Sequence, residues 1–169
     1  MHPPRIPGFP YTGFQRYFLT FCTERRRPVF THETAVGLVL EQFRQSCARH
    51  GFANLAYCFM PDHLHLLLEG AREDADLCPC VSDAKQRSGF EFRRSAAHRL
   101  WQTGYYDHVL RDEEGVFGVV RYILENPVRA GLASRVGEYK FCGSDVYSID
   151  QILACPECWS PPERSGRHR

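Results

Sequence analysis

The sequence predicts an α+β fold organised around one antiparallel sheet, and three observations predict it. Short stretches dense in aromatic and β-branched residues alternate with longer stretches of helical periodicity, in the order strand, helix, strand, strand, helix, strand, helix. The second and third strands, 54–60 and 63–69, are separated only by Pro61-Asp62, so they form a tight antiparallel hairpin. The last helix follows the fourth strand directly. This is the order of a ferredoxin-like (RRM-like) antiparallel sheet with helices on one face, plus an extra C-terminal helix that carries Tyr122. Such a sheet is expected to leave its other face free for a ligand.

Each element has its own local reason. Residues 1–13 are rich in Pro and Gly and read as an irregular arm. Gln15–Thr23 is the first strand, ended by Arg25-Arg26-Arg27 and Pro28. A helix follows from about His32 to His50, with Thr31 as its N-cap and Gly51 just past its end. Val36, Val39, Leu40, Phe43 and Cys47 give it one apolar face. Ala71–Pro79 is acidic and contains breakers, which predicts a loop. The second helix spans about Val81 to Leu100 and is the most basic, with Lys85, Arg87, Arg93, Arg94 and Arg99; Gly89 weakens its middle. Tyr105–Leu110 is the fourth strand. Asp112 caps the third helix, with Glu113 and Glu114 in its first turn and Val116, Val119, Val120 and Ile123 on its buried side. Pro127 should stop that helix at Asn126. The chain beyond Gly131 reads as loop. Residues 1–150 form one domain, and 151–169 a Cys- and Arg-rich tail expected to be poorly ordered.

Composition narrows the function. A chain of 169 residues buries a core without disulfides. Its formal net charge of +1 gives no bulk attraction for nucleic acid or membrane, although arginines cluster at 25–27, at 87–99 and in the tail (Arg164, Arg167, Arg169). The longest apolar runs, such as Leu64–Leu68, are too short to cross a bilayer, and the N-terminus lacks the apolar core of a secretory signal. A cytoplasmic protein with no membrane partner is expected. Cys22, Cys47 and Cys58 read as small buried hydrophobes. Cys78, Cys80, Cys155 and Cys158 could together close a zinc site, but Cys78-Pro-Cys80 is too tightly spaced for a standard knuckle.

The residues with chemistry lie on the hairpin and the third helix. Strand alternation projects His63 and His65 to one face and Leu64, Leu66 and Leu68 to the other, making half of a metal site. Read alone, the pair also fits one core histidine and one exposed by accident. Tyr122 and Asn126 are four residues apart, so they share one helix face, with little bulk at Gly115 and Gly118 above them. The bland alternative is a Tyr122 that packs on the sheet and an Asn126 that ends the helix. Tyr105 and Tyr106 are rival phenols. An amide oxygen at a helix C-terminus suits Mg²⁺ or Mn²⁺.

Three segments carry a family resemblance. Met60-Pro-Asp-His-Leu-His-Leu-Leu-Leu resembles the His-hydrophobe-His motif of the HUH single-strand endonucleases. Trp101-Gln-Thr-Gly-Tyr-Tyr-Asp-His-Val-Leu-Arg111 and Tyr122-Ile-Leu-Glu-Asn-Pro-Val-Arg-Ala-Gly-Leu132 are similar to segments of the REP-associated tyrosine transposases, relatives of the IS200/IS605 transposases. The similarity covers roughly residues 11–147, in family order. It implies His63 and His65 as metal ligands, Asn126 as the third ligand, and Tyr122 as nucleophile. Asp62 stands where Asn is frequent, a difference expected to matter little for ligation.

The resemblance further implies a metal-dependent nicking and joining enzyme for single-stranded DNA beside a hairpin. It would use Mg²⁺ or Mn²⁺, pass through a 5′-phosphotyrosine and need no nucleotide cofactor. A monomer is expected, as in the REP-associated branch, whereas the IS200 relatives share sites in dimers. Arg25, Arg26, Arg27, Lys85, Arg93, Arg94 and Arg129 are the candidate DNA-binding residues, and Phe9, Tyr11 and Phe14 stack on bases or simply pack. The competing readings are a catalytically silent hairpin-DNA-binding module with the same fold and an RNA-binding protein. The intact His63, His65, Tyr122 and Asn126 set count against the first. The second lacks an aromatic RNP-type signature on the first and third strands.

Overall fold

A computed structural model describes residues 8–111, 114–155 and 159–162. Its strands are β1 (Arg16–Cys22), β2 (Phe52–Met60), β3 (His63–Gly70), β4 (Tyr106–Val109) and β5 (Cys142–Gly143). Its helices are α1 (Glu33–His50), α2 (Leu77–Arg93), α3 (Val116–Arg129) and α4 (Ile149–Ala154). The strands form one antiparallel sheet in the order β4-β1-β3-β2-β5. Its first four strands reproduce the ferredoxin-like order expected from the sequence.

Register explains why both faces are covered. Tyr17, Leu19 and Phe21 of β1 lie opposite Leu68, Leu66 and Leu64 of β3, and these six pack with α1 and α2 in one core. The alternate residues, Phe18 and Leu67 with Leu55, Cys58 and Met60 of β2, face the other way and form a second core. Val119, Val120, Ile123 and Leu124 of α3 cover that second face, joined by Ile152 of α4. The face expected to be free is therefore largely roofed by α3, because α3's own apolar stripe needs an apolar surface to bury against. The histidine end of the sheet belongs to this face.

Several element ends differ from expectation. His32, not Thr31, occupies the N-cap of α1 and makes no side-chain cap bond, while Gly51 ends the helix in the left-handed conformation at φ 73°. α2 starts at Leu77, inside the expected loop. Asp76 caps it by accepting the Cys78 N–H at 3.0 Å, and Pro79 sits in the first turn, where no helical N–H partner is lost. α2 ends at Arg93 rather than Leu100; the Ser95 hydroxyl donates to Phe92 O at 3.2 Å, and the chain turns back. This turn lets Trp101 reach the core beside Phe21, Phe30 and Phe43, with its indole N–H donating to Ser88 Oγ at 2.9 Å.

α3 has Gly115 at its N-cap, so Glu114 precedes it; Asp112 and Glu113 lie outside the described residues. It does not stop at Asn126 but continues through Pro127 to Arg129. Pro127 has no N–H for the Ile123 carbonyl, and the Asn126 side-chain amide supplies one instead, donating to Ile123 O at 3.2 Å and Tyr122 O at 3.0 Å. The segment beyond Gly131, read as loop, contributes β5 on the edge of β2 and α4, which opens with a reciprocal Ser148–Gln151 capping box. Among the described residues no helix is long and apolar enough to cross a membrane.

Candidate active site

The hairpin turn brings half-buried His63 and buried His65 to one end of the second face with their Nε2 atoms 3.1 Å apart. Each ring is oriented from behind. His63 Nδ1 lies 2.6 Å from Asp62 Oδ1, and His65 Nδ1 lies 2.9 Å from Thr20 Oγ1, the residue opposite it on β1. A carboxylate beside Nδ1 keeps the proton there, so the lone pair of His63 is left on Nε2. Asp62 is held in turn by Arg26 Nε at 2.8 Å. Arg26 reaches it from a turn in which both Arg25 and Arg26 adopt positive φ, 55° and 57°. Thr23 fixes that turn to the hairpin, its backbone N–H and hydroxyl both donating to Asp62 O. Two consecutive non-glycine residues in the left-handed region are strained, and the contacts to Asp62 hold them there. Asp62 thus has a definite task, which the sequence reading did not assign to it.

The spacing of the two Nε2 atoms is that of an imidazole–imidazole hydrogen bond and is also compatible with a shared cation. Two ligands about 2.1 Å from an octahedral ion and about 90° apart are separated by about 3.0 Å. Among the described residues no group of three or more His, Cys, Asp or Glu surrounds a common point. Further ligands would therefore be amide oxygens, water or phosphate.

Phe18 connects the histidines to α3. Its ring stacks on His65 at 5.5 Å and 19°, and meets Tyr122 edge-on at 6.0 Å. Tyr122 is half-buried, and the Arg129 guanidinium lies 4.2 Å above its ring while also donating to Tyr122 O at 2.7 Å. Asn126, one turn on, is not at the helix terminus. Its amide N–H groups are engaged with carbonyls, and its Oδ1 is the remaining acceptor. Of the rival phenols, Tyr106 also meets Phe18, at 6.3 Å, whereas Tyr105 packs on Phe21 in the opposite core.

One neighbour was missed in the sequence. Trp159 packs on Tyr122 at 5.2 Å and on Phe18 at 5.3 Å, and its indole N–H donates to Glu114 Oε1 at 2.7 Å. Glu114 also meets His108 Nε2 at 2.9 Å and accepts the Arg111 N–H. Burial alone would push the Glu114 carboxyl up, but these donors outweigh it and hold it low. The only sequence sign of this packing is a lone indole in a polar tail.

The basic candidates divide into two groups. Arg26, Arg94 and Arg129 form ion pairs with Asp62, Glu91 and Glu125. Arg25, Arg27 and Arg93 pair with no carboxylate among the described residues. Lys85 Nζ donates to Gln102 O and Gly104 O, and burial lowers its pKa to about 8. Phe9 and Tyr11 pack on the α1–α2 core, while Phe14 is exposed. Among the described residues Cys78, Cys80 and Cys155 form no common cluster. Cys80 is buried in the α1–α2 core, Cys155 O accepts from Arg121 of α3, and Cys158 lies outside the described residues, as do Arg164, Arg167 and Arg169.

A ferredoxin-like sheet with two convergent imidazoles and a tyrosine-bearing helix across the same face defines the class of protein. Residues 14–126 match the family model described as "Transposase IS200 like", and the chain belongs to that family. A REP-associated tyrosine transposase of Haemophilus influenzae is 22% identical over 157 residues, covering 85% of this chain and 86% of that one. The ISDra2 transposase TnpA of Deinococcus radiodurans is 30% identical over 96 residues, covering 56% of this chain and 68% of its own. A solved structure of a REP-associated tyrosine transposase bound to a REP hairpin shares the fold, with a TM-score of 0.69 at 19% identity, covering 83% of this chain and 82% of that one.

Proposed function

We propose that this protein nicks and rejoins single-stranded DNA beside a hairpin of the REP type, with Tyr122 as nucleophile. The observation that carries the reading is the 3.1 Å approach of His63 and His65 Nε2, each ring held from its Nδ1 side, on the sheet face that Tyr122 also meets through Phe18. Family membership and the hairpin-bound relative support the substrate class.

His63 and His65 would hold Mg²⁺ or Mn²⁺, with the Asn126 amide oxygen as the third protein ligand. Such an ion, when bound, draws charge from the non-bridging oxygens of the scissile phosphate. The chain's own residues supply the rest. Tyr122 Oη attacks phosphorus in line, forming the O–P bond as the bond to the departing 3′ oxygen breaks. The phenol's proton passes to solvent, and the departing oxygen takes up a proton to become a 3′-OH. Arg129 keeps the ring in place through its stacking contact and its bond to Tyr122 O. Attack by a 3′-OH on the phosphotyrosine reverses the step, so bond energy is conserved and no nucleotide cofactor is required. Tyr122 and His65 meet the same Phe18 ring within one chain, so the site needs no tyrosine from a second copy.

The test is formation of a covalent protein–DNA adduct on hairpin oligonucleotides from the repeats of its own genome, with Mn²⁺ or with EDTA. A metal-dependent adduct supports the reading. Tight hairpin binding without any adduct would favour the catalytically silent binding module instead.

A further inference from the structure

Ten arginines and Lys140 sit within ion-pair reach of a carboxylate, so most of the positive charge on this surface is cancelled locally. Four described arginines, Arg25, Arg27, Arg93 and Arg99, have no carboxylate partner among the described residues. They are far apart in sequence, yet the fold draws them to one end of the molecule. Arg25 and Arg27 lie on the turn after β1, and backbone bonds stitch that turn to the segment after α2: Glu24 N–H donates to Leu100 O at 2.8 Å, and Gln102 N–H to Cys22 O at 3.1 Å. Arg93 and Arg99 line a cavity of about 330 Å³ between α2 and that same segment, with Lys85, Gln102 and Thr103.

This end of the molecule is also the site end. Cys22, the last residue of β1, pairs with His63, so the turn that bears Arg25 and Arg27 begins where the histidine pair begins. Two of the three Lys85 ammonium protons are taken by Gly104 O at 2.6 Å and Gln102 O at 3.2 Å, which leaves one for an anion. The cavity is at the small end of ligand-binding pockets, with room for a nucleotide and none for a duplex. Its lining includes no carboxylate.

We infer that the unpaired strand flanking the hairpin runs from the histidine pair over the Arg25–Arg27 turn and seats one nucleotide between α2 and residues 99–104. Arg25, Arg27, Lys85, Arg93 and Arg99 are the residues that meet its phosphates. The inference deepens the proposed function and rests on it. It adds Arg99 to the DNA-binding residues and excludes Arg26, Arg94 and Arg129, whose charge is spent within the fold.

The test measures affinity by fluorescence anisotropy for one hairpin oligonucleotide with and without its single-stranded flanks, across a salt series. Wild type is compared with an R25Q/R27Q variant and an R93Q/R99Q variant. Arg25, Arg93 and Arg99 are exposed and Arg27 is half-buried, so folding, checked by circular dichroism, should be kept. Each variant is expected to bind the flanked hairpin at least roughly tenfold more weakly, with a salt slope shallower by about 0.7 for each phosphate that is no longer neutralised. Affinity for the bare hairpin should be unchanged. Equal weakening on bare and flanked hairpins, or flanks that add no affinity in wild type, would overturn the inference. So would an RNA of the same sequence that competes equally well, which would assign the groove to RNA. A Tyr122-dependent adduct alongside unchanged flank binding would refute the groove alone, whereas a wild type that binds neither hairpin refutes the proposed function as well.

Discussion

The passage of α3 through Pro127 depends on Asn126, and this can be tested by a double-mutant cycle. In an uninterrupted helix the Ile123 carbonyl would accept the N–H of residue 127, which proline lacks. The Asn126 amide fills that vacancy at 3.2 Å and also donates to Tyr122 O at 3.0 Å. A neutral hydrogen bond is worth about 1 kcal/mol net, and a buried carbonyl left unpaired costs about 1–3 kcal/mol. Asn126 is half-buried, so water partly replaces it, and Asn126→Ala should cost about 1–2 kcal/mol. At this chain length that is a fall in Tm of roughly 2–8 °C. In the Pro127→Ala background the restored N–H serves Ile123 O, and the same Asn126→Ala change should cost about 1 kcal/mol less. Urea melts of the wild type, both single variants and the double variant supply the cycle. Additivity within about 0.3 kcal/mol would refute the assigned role of the Asn126 amide.

Other perturbations follow from the same geometry. Asp62→Ala should weaken Mn²⁺ binding about 10–100-fold by calorimetry, because His63 loses the group that fixes its tautomer; unchanged affinity would contradict this. Phe18 is 2% exposed and touches His65, Tyr122 and Trp159, so Phe18→Leu should cost about 1–2 kcal/mol in a chemical melt and reduce adduct yield. For Asp83, burial pushes the carboxyl up, but donors from Arg49, Arg87 and Ser46 outweigh it and hold its pKa at about 2. A folded pKa below the unfolded one near 4 means stability that is present above about pH 4 and lost as pH falls towards 2. Because Arg49 and Arg87 are 41% and 52% exposed, solvent screening reduces this contribution to about 1 kcal/mol. Asp83→Asn should therefore lower stability at pH 7, and melts at pH 2 should no longer distinguish it from wild type.

Much of the fold was legible because the alternation along β1 and β3 is strict. Tyr17, Leu19, Phe21 and Leu64, Leu66, Leu68 announce one buried face, and the Pro61-Asp62 turn fixes their pairing. The helix ends were harder to read because a side chain overrode a breaker rule. Asp76 starts α2 ahead of Pro79, and Asn126 carries α3 past Pro127, both by hydrogen bonds that propensity alone does not disclose. The short α4 had a readable start in the Ser148-x-x-Gln151 capping box, although six residues give little periodicity. In the site, the facing of His63 and His65 followed from strand period. The supports did not: Thr20 is reached only across β1, Arg26 only through a strained turn, and Trp159 only by return of the tail onto α3. The placement of α3 over the second face depended on long-range packing, which local pattern cannot specify.

The central claim, that Tyr122 forms a covalent bond to DNA beside a hairpin, is tested most directly by mass spectrometry of the adduct. Wild-type protein and Tyr122→Phe would be incubated with hairpin oligonucleotides and Mn²⁺, digested, and the modified peptide sequenced. A nucleotide-bearing peptide modified at Tyr122 is expected in the wild type, and no adduct in the variant. An adduct that persists in Tyr122→Phe, with the modification at Tyr105 or Tyr106, would contradict it.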